Sequence, residues 1–160
     1  MAIEFEVDAS EVEASIKRVV NEFTDPIRLN SFFARASNII QQDVKAHFRS
    51  ETGPNPDKAV ISKMAKKWEP LKEITKIRKA QKGTLQRGIL HDTGELKKSI
   101  KKFHNSQGGG LSSQIKYARE HQIGRPKKNL PARPFFWFSD KAVDKIVSEM
   151  TKRIVKAWKR

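Results

Sequence analysis

The 160-residue chain contains no cysteine, which excludes disulfide bonds and thiolate metal sites. This absence fits assembly in a reducing cytoplasm. No apolar run approaches the roughly 18 residues of a membrane-spanning helix, so we expect no contact with a membrane. The N-terminus, M-A-I-E-F-E-V-D, has neither the basic start nor the apolar block of a signal peptide.

Recognisable catalytic patterns are also absent. The four histidines fall on four different predicted elements, and no two have the spacing of metal ligands. No serine lies in a nucleophile elbow, and the run of three glycines lacks the following Lys-Ser or Lys-Thr of a phosphate loop. The sequence therefore predicts a protein that is not an enzyme and has no cofactor and no metal.

Positive charge is what the sequence has in excess, since 33 Lys and Arg against 18 Asp and Glu give a formal net charge of +15. Such a charge predicts attraction to nucleic acid, to an acidic protein or to an anionic surface. The alternative is that lysines merely cover the solvated faces of helices. The densest basic segment, 58–87, is the candidate mobile insertion, and its candidate DNA-facing patch is Lys63, Lys66, Lys67, Lys76, Lys79 and Lys82.

The length predicts one domain over 1–160, and hydrophobic periodicity and capping residues predict its helices. Ser10 and Glu13 form a capping box at the start of the first helix. The second helix is the central one, because its apolar positions recur every three or four residues from 27 to 49. A short helix is predicted over 75–82, and Thr93 or Asp92 is expected to cap another short helix at Gly94. Ser139 is expected to cap the last helix, 140–158.

Alternation and turn residues predict the strands. Residues 2–8 alternate between apolar and acidic side chains, as in a half-buried strand. A glycine-rich loop separates two further predicted strands, 99–105 and 111–117, and the aromatic run 135–138 is predicted to be another. The predicted fold class is α+β, with a small, mostly antiparallel sheet packed against a long central helix and a C-terminal helix.

Between Gly124 and the aromatic run the chain carries three prolines, Pro126, Pro131 and Pro134. Proline fixes φ and donates no backbone hydrogen bond, so this segment is predicted to be an extended, stiff loop. The aromatic side chains that follow have too much apolar surface to stay in water. We therefore expect an arm that is anchored at both ends.

Four stretches, in this order and spacing, resemble the phage virion morphogenesis family, the tail-completion proteins of contractile-tailed phages of the Mu and P2 kind. They are W-E-P-L at 68–71, L-H-D-T-G-E-L-K-K-S-I at 90–100, Y-A-R-E-H-Q-I-G at 117–124 and N-L-P-A-R-P-F-F at 129–136. The resemblance covers most of residues 27–158. It departs from the family around residues 58–67 and 107–110.

The resemblance implies a structural protein of the virion, assembled in the bacterial host cytoplasm. It would complete the tail and join it to the filled head as a homo-oligomeric ring, with six subunits as the hypothesis. Its partners would be other copies of itself, tail and neck or connector proteins, and DNA passing through the lumen without sequence readout. The alternative function is a basic protein that binds nucleic acid non-specifically in solution.

The proline arm suits a contact between subunits in such a ring, because stiff segments lose little entropy on binding. Arginine and aromatic side chains are also enriched in interface hot spots. The alternative is that the aromatics are ordinary core. The candidate subunit interface is Tyr117, Arg125, Asn129, Arg133, Phe135, Phe136 and Trp137.

Overall fold

Three long helices form the frame of the protein. The computed structural model describes residues 9–54 and 65–159. The long helices are α1 (Ala9–Thr24), α2 (Pro26–Ser50) and α6 (Asp140–Trp158). The predicted bounds of α2 and α6 are confirmed to within a residue. The described part of α1 begins at Ala9, so Ser10 lies inside the helix and not at its N-cap as predicted.

Helix α2 is the central helix, since it contacts α1, α6 and several of the later short elements. Both of its ends are capped, and one of its faces is apolar. At its start, the Asp25 carboxylate accepts hydrogen bonds from the backbone N–H groups of Ile27 and Arg28. At its end, Glu51 adopts a left-handed conformation, with φ of 54°, and its N–H bonds the carbonyl of His47. Its 25 residues span about 37 Å. The buried apolar residues of α2 are Ala36, Ile40, Val44 and Phe48.

Helix α6 runs antiparallel to α2. Arg153, near the end of α6, donates to the carbonyl of Arg28 at the start of α2. Asp43, in the second half of α2, accepts from the backbone and hydroxyl of Ser139 at 2.8 and 2.6 Å. Ser139 is the N-cap of α6, as predicted, and accepts from the N–H of Ala142.

Helix α1 packs on the C-terminal end of α6. The hydroxyl of Ser15 lies 3.5 Å from the carbonyl oxygen of Trp158, the last residue of α6. The N-terminus of α1 therefore lies at one end of the molecule. The opposite end of the molecule is where the second half of α2 meets Ser139, the N-cap of α6.

The remaining elements are short and lie at the second end or along α2. They are β1 (Thr52–Gly53), β2 (Lys66–Lys67), α3 (Glu73–Gln81), α4 (Glu95–Lys98), β3 (Lys101–His104), β4 (Gly109–Ser112) and α5 (Lys116–Ile123). Strand β1 pairs antiparallel with β2, and β3 pairs antiparallel with β4 against α2. The fold class is α+β. The hydroxyl of Thr93 accepts from the N–H of Glu95, so Thr93 and not Asp92 supports the start of α4.

Two predicted strands are wrong in part or whole. Strand β4 ends at Ser112, and Tyr117 belongs to α5, because the sequence from Lys116 has good helix formers and no alternation. Residues 135–138 form no strand: Trp137 donates its N–H to the carbonyl of Phe135, which turns the chain. The predicted strand over residues 2–8 lies outside the described residues.

The proline loop is less extended than predicted. Pro126–Lys128 form one turn of 3-10 helix, and Asn129 follows in a left-handed conformation with φ of 52°. A bridge between Arg125 and Leu130 closes this turn. Proline is tolerated in the first turn of a helix because its missing N–H would have no partner there.

One hydrophobic core joins the elements. Phe135 is fully buried against Phe48 of α2, with their ring centroids 5.3 Å apart, and Trp68 meets Phe48 edge-on. Leu96 of α4 and Ile100 belong to the same cluster. Among the described residues, no helix is both long and apolar enough to cross a bilayer.

The bond between Asp43 and Ser139 is expected to stabilise the fold. Asp43→Ala removes the acceptor of two hydrogen bonds in a half-buried place. We expect the free energy of unfolding, measured by urea denaturation, to fall by about 1–3 kcal/mol. The matched control is Asp144→Ala, which removes an exposed carboxylate from α6. Equal losses in the two variants would contradict this role of Asp43.

Candidate functional site

A cleft of about 460 Å³ opens at the end of the molecule where α2 ends. Its walls come from α3, from the turn before α4, from α5 and from the segment 129–133. Each of the four stretches that carry the family resemblance contributes to it, through residues such as Leu71, Gly94, His121 and Arg133. Stretches that lie far apart in the sequence thus surround one concave surface.

Arg133 holds the wall of this cleft together. Its side chain is only 4% exposed, and its guanidinium donates to the carbonyls of Glu69 at 3.0 and 3.1 Å and of Pro70 at 3.3 Å. Burial lowers the pKa of Arg133, and the charges of Glu69 and Glu51 oppose that shift. Because arginine stays charged at neutral pH, a buried cation with only carbonyl partners leaves positive potential in the cleft wall.

The neighbouring bonds tie W-E-P-L to the same segment. The indole Nε1–H of Trp68 donates to the carbonyl of Pro134 at 3.0 Å. The side-chain oxygen of Gln122 accepts from the N–H groups of Phe135 and Phe136, both at 3.0 Å. Gln122 therefore links the Y-A-R-E-H-Q-I-G stretch to the aromatic run, a role that the sequence analysis did not assign to it.

Gly124 allows these two stretches to approach each other. Its φ is +76°, and a Cβ at this position would lie 2.8 Å from the backbone nitrogen of Ala132. Any other residue would be strained there and would push the segment 130–132 away. A glycine at the end of α5 is thus required by the geometry of the cleft wall.

Lys79 is a second buried cation in the cleft. Lys79 is only 5% exposed, and its Nζ donates to the carbonyls of Gly88 at 2.9 Å and His91 at 3.0 Å. Burial lowers the pKa of Lys79, with the charge of Asp92 opposing the shift. The prediction that Lys79 faces DNA is therefore corrected: its ammonium closes the loop between α3 and α4.

The other lysines of the predicted basic patch do not form one free surface. Lys76 pairs with Glu73 at 2.5 Å, Lys82 pairs with Asp92 at 3.2 Å, and Lys67 donates to the carbonyl of Ser50. Lys66 is exposed in β2, and Lys63 lies outside the described residues. Contact of the exposed lysines with DNA stays a prediction.

The predicted interface residues divide into buried and accessible ones. Arg133 and Phe135 are buried within a single chain, so neither reaches a second subunit in this conformation. Phe136 packs on Phe135 with 4.7 Å between centroids, and Trp137 stacks on His47 at 4.2 Å. The accessible members are Tyr117, Arg125 and Asn129. Of these, Tyr117 and Asn129 line the cleft, whereas Arg125 pairs with Glu120 at 2.5 Å.

His121 lies on the cleft wall with its ring edge-on to Tyr117, at 5.9 Å between centroids. Within the described part of the chain, its Nδ1 is buried and has no hydrogen-bond partner. Burial and the nearby charge of Arg133 lower the pKa of His121, and Glu120 opposes them. The ring is therefore neutral at neutral pH.

No arrangement of side chains in this cleft matches a known catalytic constellation. In residues 9–54 and 65–159, no three His, Asp or Glu side chains are grouped so that they could hold a metal ion. The two buried cations of the wall, Arg133 and Lys79, donate to backbone carbonyls, which is a structural use of them.

Comparison with known proteins agrees with the resemblance seen in the sequence. The model of the phage virion morphogenesis family matches residues 7–155, nearly the whole chain. An uncharacterized protein of Methanocaldococcus jannaschii is 30% identical over 93 residues, which cover 56% of this chain and 69% of that protein. No solved structure matches the chain significantly.

Replacement of Arg133 tests whether its role is structural. Arg133→Ala leaves the carbonyls of Glu69 and Pro70 without a donor and opens a cavity. We expect the free energy of unfolding to fall by about 2–4 kcal/mol, as measured by urea denaturation. Arg125→Ala is the matched control, because its guanidinium is exposed, and we expect a change within about 0.5 kcal/mol. A stable Arg133→Ala protein that fails only to self-associate would contradict the structural role.

Acid is expected to weaken the fold through the buried histidines. Burial lowers the pKa of His47 and of His121 below 6.5, so the unfolded chain binds protons at a higher pH than the folded chain. Stability from this source is complete above pH 6.5 and is lost as the pH falls toward the folded pKa values. We expect the urea midpoint to fall between pH 7.5 and 5, and His121→Gln to make that dependence shallower. A midpoint that does not change over this range would contradict the effect.

Proposed function

The chain belongs to the phage virion morphogenesis family, and from that premise we propose that it completes the phage tail and joins it to the filled head. In this proposal, copies of the chain form a ring at the neck end of the tail and contact the tail and connector proteins there. A protein of this family is associated with the virion. The tail or neck position, and assembly in the host cytoplasm, are part of the proposal.

The family match over residues 7–155 carries this proposal. The surface of the chain supports it, since four large apolar side chains on α1 and α6 are about half exposed: Ile16, Val20, Val147 and Trp158. Ile16 and Val20 lie on one flank of α1, and Val147 and Trp158 lie on one flank of α6. Apolar surface of this kind is typical of proteins that associate with other chains.

We propose that the protein acts by binding and not by catalysis. The buried cations of the cleft, Arg133 and Lys79, donate to backbone carbonyls and hold loops in place. A protein that assembles into a particle needs rigid surfaces of this kind, because preorganised segments lose little entropy on binding.

The alternative function is non-specific binding of nucleic acid, and one flank of α6 favours it. Five exposed lysines lie along this helix and at the residue that follows it. Among the described residues, Lys152 alone of these five forms an ion pair, with Glu149 at 3.4 Å. The five are Lys141, Lys145, Lys152, Lys156 and Lys159. In a ring, this flank could face the DNA that passes through the lumen. In solution, it would bind phosphates without reading sequence.

Disruption of the gene in a phage that carries it tests the proposed function. We expect separate filled heads and tails in electron micrographs of the lysate, and joined infectious particles after addition of the purified protein. Asp144→Ala protein is the control that should restore joining, because Asp144 is exposed on α6 and lies outside the predicted subunit interface. Normal particles from the disrupted phage would contradict the proposal.

The same purified protein separates the two functions. Affinity for duplex DNA that falls steeply with salt, together with normal head–tail joining in the disrupted phage, would favour the nucleic-acid alternative. Weak DNA binding by the dilute chain, together with restored joining, would favour the ring.

A further inference from the structure

The cleft carries more positive charge than its own carboxylates neutralise. Five cationic and two carboxylate side chains line it. One of the carboxylates, Asp92, already accepts hydrogen bonds from Thr84 and Lys82. Lys72 and Arg78 have no ion pair with any described residue, and both are exposed at the rim. The cleft therefore attracts an acidic group.

Apolar residues lie between these cations in the same cleft. Leu71, Ile89, Leu130 and Pro131 contribute to its lining. A segment that fits such a surface carries apolar and acidic side chains in alternation, because an extended chain points successive side chains to opposite sides. The apolar side would then face the lining, and the carboxylates would face the rim.

The chain itself contains a segment of this chemistry. Residues 3–8 read I-E-F-E-V-D, with apolar and acidic side chains in strict alternation. Charge is also divided unequally along the chain. The first 25 residues hold seven acidic and two basic side chains, whereas the remaining residues hold 11 acidic and 31 basic ones. The acidic part of one copy is thus complementary to the basic part of another.

Within one copy, the start of α1 is farther from the cleft than residues 3–8 can span. The N-terminus of α1 lies at the C-terminal end of α6, where Ser15 approaches Trp158. The cleft lies at the opposite end, where Arg133 precedes the start of α6. Helix α6 alone has 19 residues and is about 28 Å long. Ile3 is six residues from Ala9, a distance of at most about 22 Å when fully extended.

We propose that residues 2–8 of one copy bind in the cleft of the next copy, with Glu4 and Glu6 paired with Lys72 and Arg78. This inference rests on the proposed ring, because it names the contact that joins the subunits. The two contacting surfaces differ, so the association runs head to tail. A head-to-tail contact closes into a ring when the rotation per subunit is a whole fraction of a turn.

A labelled peptide tests this contact directly. A fluorescein-labelled peptide with the sequence of residues 1–9 is titrated with the dilute full-length chain at low salt, and fluorescence anisotropy is measured. We expect saturable binding that is at least tenfold weaker for the full-length variant Lys72→Glu/Arg78→Glu. A peptide with Glu4→Lys and Glu6→Lys is expected to bind the unaltered chain at least tenfold more weakly as well.

The matched control for net charge is Lys141→Glu/Lys145→Glu, which makes the same charge change on exposed α6. We expect this control to change the affinity less than threefold. Lack of binding to the unaltered chain, or equal weakening by the two double variants, would overturn the proposal. Circular dichroism verifies that each variant is folded.

The outcome is separable from that of the proposed function. If the Lys72→Glu/Arg78→Glu chain no longer binds the peptide but still restores head–tail joining in the disrupted phage, the head-to-tail contact is overturned and the tail role stands. If the unaltered chain binds the peptide but the disrupted phage makes normal particles, the tail role is overturned and the contact stands.

Discussion

Burial of the segment from Arg133 to Phe135 is the constraint on which the rest of the structure depends. Phe135 fills the core against Phe48 of α2, while the Arg133 guanidinium binds the carbonyls of Glu69 and Pro70. These contacts fix the W-E-P-L stretch, and Gln122 fixes α5 to the same segment. This segment joins the W-E-P-L and α5 walls of the cleft, while Lys79 joins the α3 wall to the loop before α4.

The structure separates two roles that the sequence analysis had assigned to one arm. Arginine and aromatic side chains are enriched in interface hot spots. In this chain, however, Arg133 and Phe135 are buried inside the fold. The surface that we propose for another chain is the cleft beside them, which Tyr117 and Asn129 help to line. A rigid core segment and an accessible cleft therefore belong to one unit, in which packing of the core fixes the shape of the cleft.

Local signals predicted the long elements well, and tertiary context decided the rest. The ends of α6 follow from the Ser139 cap and a regular apolar stripe, both of which are legible in sequence. The aromatic run 135–138 has strand propensity, but Gln122 takes the backbone N–H groups of Phe135 and Phe136 that a neighbouring strand would have bonded. The burial of Lys79 could not be predicted, because it depends on the carbonyls of Gly88 and His91 in a loop. The joint presence of four motifs was the one signal of the cleft.

The absence of cysteine makes one measurement especially direct. A full-length chain carrying Glu6→Cys and Arg78→Cys is oxidised, and the products are sized by denaturing electrophoresis and by light scattering. The account predicts disulfides between copies only, giving covalent multimers that end at one discrete closed size, and no multimer beyond a dimer from either single-cysteine chain. Disulfides within one copy, or a failure to form the bond between copies, would contradict the head-to-tail contact at the centre of the account.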